Sequence, residues 1–172
     1  MNLLFYITAG VAVIATLRVV THSNAVHALL YLIVSLLAVA LIFFLLGAPF
    51  AAALEIIIYA GAIMVLFVFV IMMLNPGGQS IGGRTPLRRP GTWLGPALLA
   101  VILLAELTVV LAVGGVTAPS REQVGTIALG QTLFGPYVLG VELASVLLMA
   151  GLVGAYHLAR PEETSTDEGG KP

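Results

Sequence analysis

The chain has 172 residues, of which 60% are hydrophobic and 9% charged, with a formal net charge of −1 and no cysteine. That charged fraction is far below the roughly 25% of a soluble domain, so too little polar surface exists to cover a water-soluble core, and the composition reads as an integral membrane protein. A near-neutral chain offers no electrostatic footprint for nucleic acid. Without cysteine it can form no disulfide and no thiolate-ligated metal or iron–sulfur centre of its own.

The apolar runs predict five helices, each close to the roughly 20 residues that span a bilayer. The first runs from Leu3 to Val20, with Arg18 placed to snorkel at its end. Its start, Met1-Asn2-Leu3-Leu4-Phe5, lacks the basic flank of a signal peptide, so it reads as a retained helix. The second runs from Ala25 to Leu46, and a tight Gly47-Ala48-Pro49 turn leads into the third, Phe50 to Leu74. Asn75-Pro76-Gly77-Gly78 ends that helix, because Pro and Gly together break it. Residues 75–92 read as a Gly/Arg/Pro loop, after which Trp93, an interfacial anchor, opens a fourth helix to about Val113. Residues 114–132 are polar enough to lie outside the bilayer, with room for a short surface helix. Phe134-Gly135-Pro136-Tyr137 opens the fifth helix, with proline in its first turn, and the helix ends near His157. Residues 160–172 have the composition of a disordered tail. The expectation is one all-α, five-helix transmembrane domain over residues 1–159.

Lys and Arg set the orientation. With five spans, one side holds Arg18, Arg84, Arg88, Arg89, Arg160 and Lys171, and the other only Arg121. The bias places the C-terminus in the cytoplasm and the N-terminus outside. Three acids lie inside hydrophobic runs, Glu55, Glu106 and Glu142, and this orientation puts all three in the outer half of the membrane. The inner half has His27 and His157 near its surface and no embedded acid, so a proton path through this chain needs partner chains to complete it.

A charged side chain at membrane depth costs about 2.5–3.5 kcal/mol or more, and such residues usually face protein or water and carry function. Glu55 and Tyr59, four residues apart on the third helix, share a face that Ala52, Ala62 and Leu66 continue. A carboxyl beside a phenol can exchange hydrogen bonds and organise water, which suits a proton pathway; a structural hydrogen bond to a neighbouring helix is the plainer alternative. Gly61, between two alanines, suits either close helix packing or a point of backbone deformation such as a π-bulge. Glu142 lies in Leu139-Gly140-Val141-Glu142-Leu143-Ala144, and Gly140, Ala144, Gly151 and Ala155 form a small-residue stripe fit for packing. Glu106 carries no surrounding motif. His27 and His157 at matching depth allow a haem clamp in principle, but histidines at helix ends are far more often interfacial polar residues. His22 sits in the first loop without a foreseeable partner.

The run Ala53-Leu54-Glu55-Ile56-Ile57-Ile58-Tyr59-Ala60-Gly61-Ala62-Ile63-Met64-Val65-Leu66-Phe67-Val68-Phe69 resembles the signature of the subunit J family of bacterial NADH-quinone oxidoreductase, respiratory complex I, related to the sixth mitochondrially encoded subunit. Val26-His27-Ala28-Leu29 and the stretch from Phe134 through Ser145 match it too; Ala25 departs from it, where the family often has proline, and Glu106 lies outside its pattern. The resemblance implies a five-helix subunit of the bacterial inner membrane, set between the quinone region and the antiporter-like subunits. It implies no redox centre in this chain, with NADH, FMN, iron–sulfur clusters and quinone held elsewhere in the assembly. It also implies a π-bulge near Tyr59 to Val65, with Gly61 within it, that gates a water chain, and Glu55 on the axis of buried polar residues; read from the residues themselves, Tyr59 and Glu142 join Glu55 as proton-pathway candidates. The rival readings are a subunit of a cation/proton antiporter or membrane-bound hydrogenase, and a structural assembly scaffold.

The orientation is testable in intact cells. Single cysteines introduced at Arg88 and Gly169 are expected to be shielded from an impermeant thiol reagent added outside; labelling of either from outside contradicts the assignment.

Overall fold

The computed structural model describes residues 2–74, 91–112 and 124–160, and among these every regular element is helical. The elements are α1 (Asn2–Thr21), α2 (Ala25–Leu45), α3 (Pro49–Leu54), a π-helical segment (Glu55–Ile63), α4 (Met64–Leu74), α5 (Gly91–Ala112), α6 (Thr126–Leu133) and α7 (Val138–Ala159). Five stretches are long and apolar enough to cross a membrane: Leu3–Thr21, Ala25–Leu45, Pro49–Leu74, Trp93–Ala112 and Val138–Ala159. That is the number the sequence predicts. The arginine-rich loop over 75–90, Arg121 and the tail over 161–172 lie outside the described residues.

Local chemistry sets the helix ends. Asn24 caps α2, its side-chain oxygen accepting from the backbone N–H of Val26 (3.0 Å) and of His27 (3.4 Å). Two of the orphan donors of the first turn are thereby satisfied, so Ala25 in place of proline does not disturb the start of the helix. At the other end, Gly47 takes φ +87°, a left-handed conformation in which a Cβ is strained. The N–H of Gly47 bonds to Phe44 O and that of Ala48 to Phe43 O, each at 3.0 Å. This double bond pattern terminates the helix and satisfies its last carbonyls. Pro49 then starts α3, where its missing N–H costs nothing. Gly47 O also accepts from Val124 N at 3.0 Å, which sets the segment after α5 at the α2–α3 end of the bundle, as alternating spans require.

The chain divides into two compact units, Met1–Gly125 and Thr126–Pro172. In the first, α2 is the central element, packing on α1, α3, the π-helical segment, α4 and α5. Its core joins Val11 and Ala15 of α1, Val34, Ala38, Leu41 and Leu45 of α2, and Leu103 and Val110 of α5. Ala15 and Ala38 are fully buried, and such small side chains let helices approach closely where lipid supplies no hydrophobic drive. A Thr16 Oγ1 to Ser35 Oγ hydrogen bond of 2.8 Å links α1 to α2. Bonds of this kind average only about 0.6 kcal/mol in membranes, so packing of the alanine faces is the larger contribution. In the second unit, α6 meets α7 through a turn over residues 134–137. The fifth span therefore begins at Val138, not at Phe134. The reason is local: Phe134 N–H closes α6 on Gly130 O (2.9 Å) and Tyr137 N–H reaches back to Thr132 O (3.2 Å), while Pro136 disfavours helical backbone at Gly135. No residue of α7 is buried.

Enlarging the α1–α2 contact is expected to cost more than trimming its outer side. Ala38→Leu enlarges a fully buried side chain and is expected to destabilise by about 1–3 kcal/mol, whereas Leu17→Ala, at an exposed position of α1, changes little. Thermal loss of helicity in detergent measures both; equal effects would contradict the packing assignment.

Candidate functional site

The third span changes its winding partway along. α3 gives way at Glu55 to nine π-helical residues, Glu55–Ile63, before α4 resumes at Met64. The Met64 N–H closes the widened stretch by bonding to Tyr59 O, five residues back, the hydrogen-bond spacing of a π-helix. The sequence supplies a cause. Ile56, Ile57 and Ile58 are consecutive β-branched residues, which crowd neighbours three and four residues away in an α-helix. They are followed by Ala60-Gly61-Ala62, whose small side chains leave the backbone free to widen. Gly61 fits this winding specifically: a Cβ there would lie 3.2 Å from Ile56 O, tight against the carbonyl five residues back.

The winding reorganises the faces. By α-helical spacing Ala52, Glu55, Tyr59, Ala62 and Leu66 form one line, but Ala52 is buried, Glu55 half-buried, Tyr59 49% exposed and Leu66 62% exposed. The buried line passes instead from Ala52 to Met64. These are twelve residues apart, three and a third turns of an α-helix, so only a widened stretch between them brings both to the inner face. Tyr59 and Gly61 lie inside the π-helical segment. Val65 does not: it is the second residue of α4 and exposed. The five-back bond from Met64 completes the widened turns just before it. An apolar cavity of about 230 Å³ adjoins the segment's first turn, lined by Val34, Leu41, Phe44, Ala52, Ile56 and Leu103 among others.

The remaining candidates are distributed. Glu142 is an exposed residue of α7, in the second unit. Glu106, the acid with least sequence context, is the one most enclosed, 6% exposed. Its Oε2 lies 2.9 Å from Thr8 Oγ1 on α1, and Thr8 is itself fully buried. The signal for this was present but weak: Leu99, Leu103, Glu106 and Val110 recur at helical spacing on α5, and these are its inward positions. At the other end of this unit, His22 is not without partners. Its Nδ1 accepts from Asn24 N–H at 3.2 Å, and its ring stacks on that of His27, centroids 5.4 Å apart. Trp93 meets the same His27 ring edge-on at 5.9 Å, so it joins α5 to α2 as well as lying at a helix end. Among the described residues no three His, Asp or Glu side chains gather as a metal site.

Comparison with known proteins agrees with the pattern. Residues 15–158 match the family described as NADH-ubiquinone/plastoquinone oxidoreductase chain 6. The chain is similar to NADH-quinone oxidoreductase subunit J of Pseudomonas aeruginosa, 59% identical over 167 residues, covering 94% of this chain and 98% of that one. It is 57% identical over 164 residues to subunit J of Escherichia coli K12, covering 94% and 88%. It is 44% identical over 163 residues to subunit J of Buchnera aphidicola from Schizaphis graminum, covering 95% and 100%.

Proposed function

The chain belongs to the NADH-ubiquinone/plastoquinone oxidoreductase chain 6 family, and from that membership we propose that it is a non-redox membrane-arm subunit of a proton-pumping NADH-quinone oxidoreductase that couples quinone reduction to proton translocation through its third span. In this reading the chain sits in the bacterial inner membrane with its C-terminus in the cytoplasm. Its partners are the subunits around the quinone site and the small subunits that lead to the antiporter-like ones. NADH, FMN, iron–sulfur clusters and quinone belong to those other chains.

The observation that carries the reading is the π-helical winding of Glu55–Ile63 within the residues that resemble the family signature. A π-helical turn and an α-helical turn use the same donors and acceptors, paired one residue differently. Converting one to the other keeps every N–H of the stretch in a ladder and leaves one carbonyl at most without a donor where the spacing changes, so few backbone groups meet lipid unpaired, where each would cost several kcal/mol. The conversion rotates everything beyond it, so Tyr59 and the faces of α4 change neighbours while α3 stays in place. Rotation of this kind makes or breaks a polar path beside Glu55. Gly61 gives the backbone a turn without a side chain at the crowded carbonyl, and the cavity beside Ile56 gives its side chain space to move. Glu55 takes the proton in this scheme and Tyr59 orders the path, with Glu142 as a second acid on the fifth span.

Two substitutions test this. Glu55→Gln keeps the volume and removes the titratable proton. It is expected to lower proton pumping per assembled complex while leaving subunit content near the parent level; a parallel loss of assembly points instead to a structural hydrogen bond, and unchanged pumping removes Glu55 from the path. Gly61→Val places a β-branched side chain, restricted in χ1, against Ile56 O. Normal assembly with slowed quinone-linked turnover is expected, measured as turnover per complex with content quantified on native gels. Parent-level turnover per complex contradicts gating at this position.

A further inference from the structure

The contacts around Thr8 bear on whether Glu106 carries a proton. Thr8 Oγ1 lies 2.8 Å from Leu4 O and 2.9 Å from Glu106 Oε2. A threonine hydroxyl has one proton to give and a carbonyl has none. If Glu106 is a carboxylate, three oxygens share a single proton, and one of the two short contacts is a bare meeting of lone pairs. If Glu106 is a neutral acid, both contacts are hydrogen bonds: Glu106 Oε2–H donates to Thr8 Oγ1, and Thr8 Oγ1–H donates to Leu4 O.

The surroundings agree. Glu106 Oε1 is buried and has no hydrogen-bond partner among the described residues, a position that suits the carbonyl oxygen of an acid better than half of a full negative charge. Among the described residues of α1, α2 and α5 no compensating cation lies near it. α5 has no other ionisable residue. On α1 the one cation is Arg18, ten residues beyond Thr8 and about 15 Å along the axis, and Tyr6 is exposed. On α2 the ionisable residues are His27 and Tyr31, at the Arg18 end of the pair, since Thr16 pairs with Ser35.

We propose that Glu106 is a proton-holding site of this chain, a neutral carboxyl that clasps α5 to α1 by donating its own proton along the line Glu106, Thr8, Leu4 carbonyl. The site is separate from Glu55 and Glu142 and does not depend on the gating of the third span. It fastens two helices through a proton, so it needs no counter-ion in the membrane.

The test is infrared difference spectroscopy on the purified assembled complex. Glu106→Gln retains the volume and an N–H donor for Thr8, so the contact survives the change. The expected result is loss of one band in the carbonyl-stretch region of protonated carboxylic acids. Thr8→Val is expected to shift that same band, because the acid O–H loses its acceptor, and Thr8→Ser to leave it in place. Loss from the carboxylate-stretch region, or a band indifferent to Thr8→Val, overturns the proposal. If the Glu106 variant does not assemble, parent against Thr8→Val decides alone: a shifted acid band supports the proposal, and a shifted carboxylate band or no shift overturns it.

Discussion

Lipid offers no hydrogen bonds, and this single constraint governs the rest of the molecule. Every backbone N–H and C=O inside the bilayer must find a partner within the protein. The constraint explains why the described elements are all helical, and it limits how a membrane span can depart from the α-helix. The third span departs by shifting its ladder from four-back to five-back bonds over Glu55–Ile63, which keeps its N–H donors in a ladder. It is a change of winding with little cost in hydrogen bonds, which is the property that the proposed rewinding requires.

Several polar side chains follow the same rule. Thr16 pairs with Ser35, and Thr8 with Glu106. Asn24 closes the first turn of α2. The first two link polar groups that would otherwise meet hydrocarbon, and the third satisfies donors at a helix end. Between them the contacts are made by small and branched apolar side chains, with Ala15 and Ala38 setting how closely α1 and α2 approach. The central position of α2 follows, since it touches every other span of the first unit. The third span buries Ala52 and Met64 against this frame, on either side of the widened turns.

Much of this was readable in the sequence because membrane spans are long and apolar. Their number and most of their limits follow from hydropathy, and the Gly47-Ala48-Pro49 turn announces itself by residue type. The signature around Glu55 pointed to the family, and the comparisons agree. Three things were less legible. The start of the fifth span depended on how the 134–137 turn closes on α6, a backbone matter that an apolar count does not register. The extent of the π-helical winding depends on the balance between crowded isoleucines and an unhindered glycine, and it ends at Ile63, two residues before Val65. Glu106 lacked neighbours of note in sequence because its partner, Thr8, is 98 residues away; only the packing of α5 on α1 brings them together.

The central claim is that the third span rewinds at its π-helical segment, and distances across that segment measure it most directly. Spin labels at Leu37 on α2 and Met72 on α4 report on the part beyond the segment, and labels at Leu37 and Ala53 on the part before it. In the assembled complex the account predicts two populations for the α2–α4 pair, with a ratio that differs between the resting enzyme and the enzyme turning over with NADH and quinone, and a single unchanged distance for the α2–α3 pair. One fixed distance for both pairs in both conditions, or an equal shift in both, would contradict it.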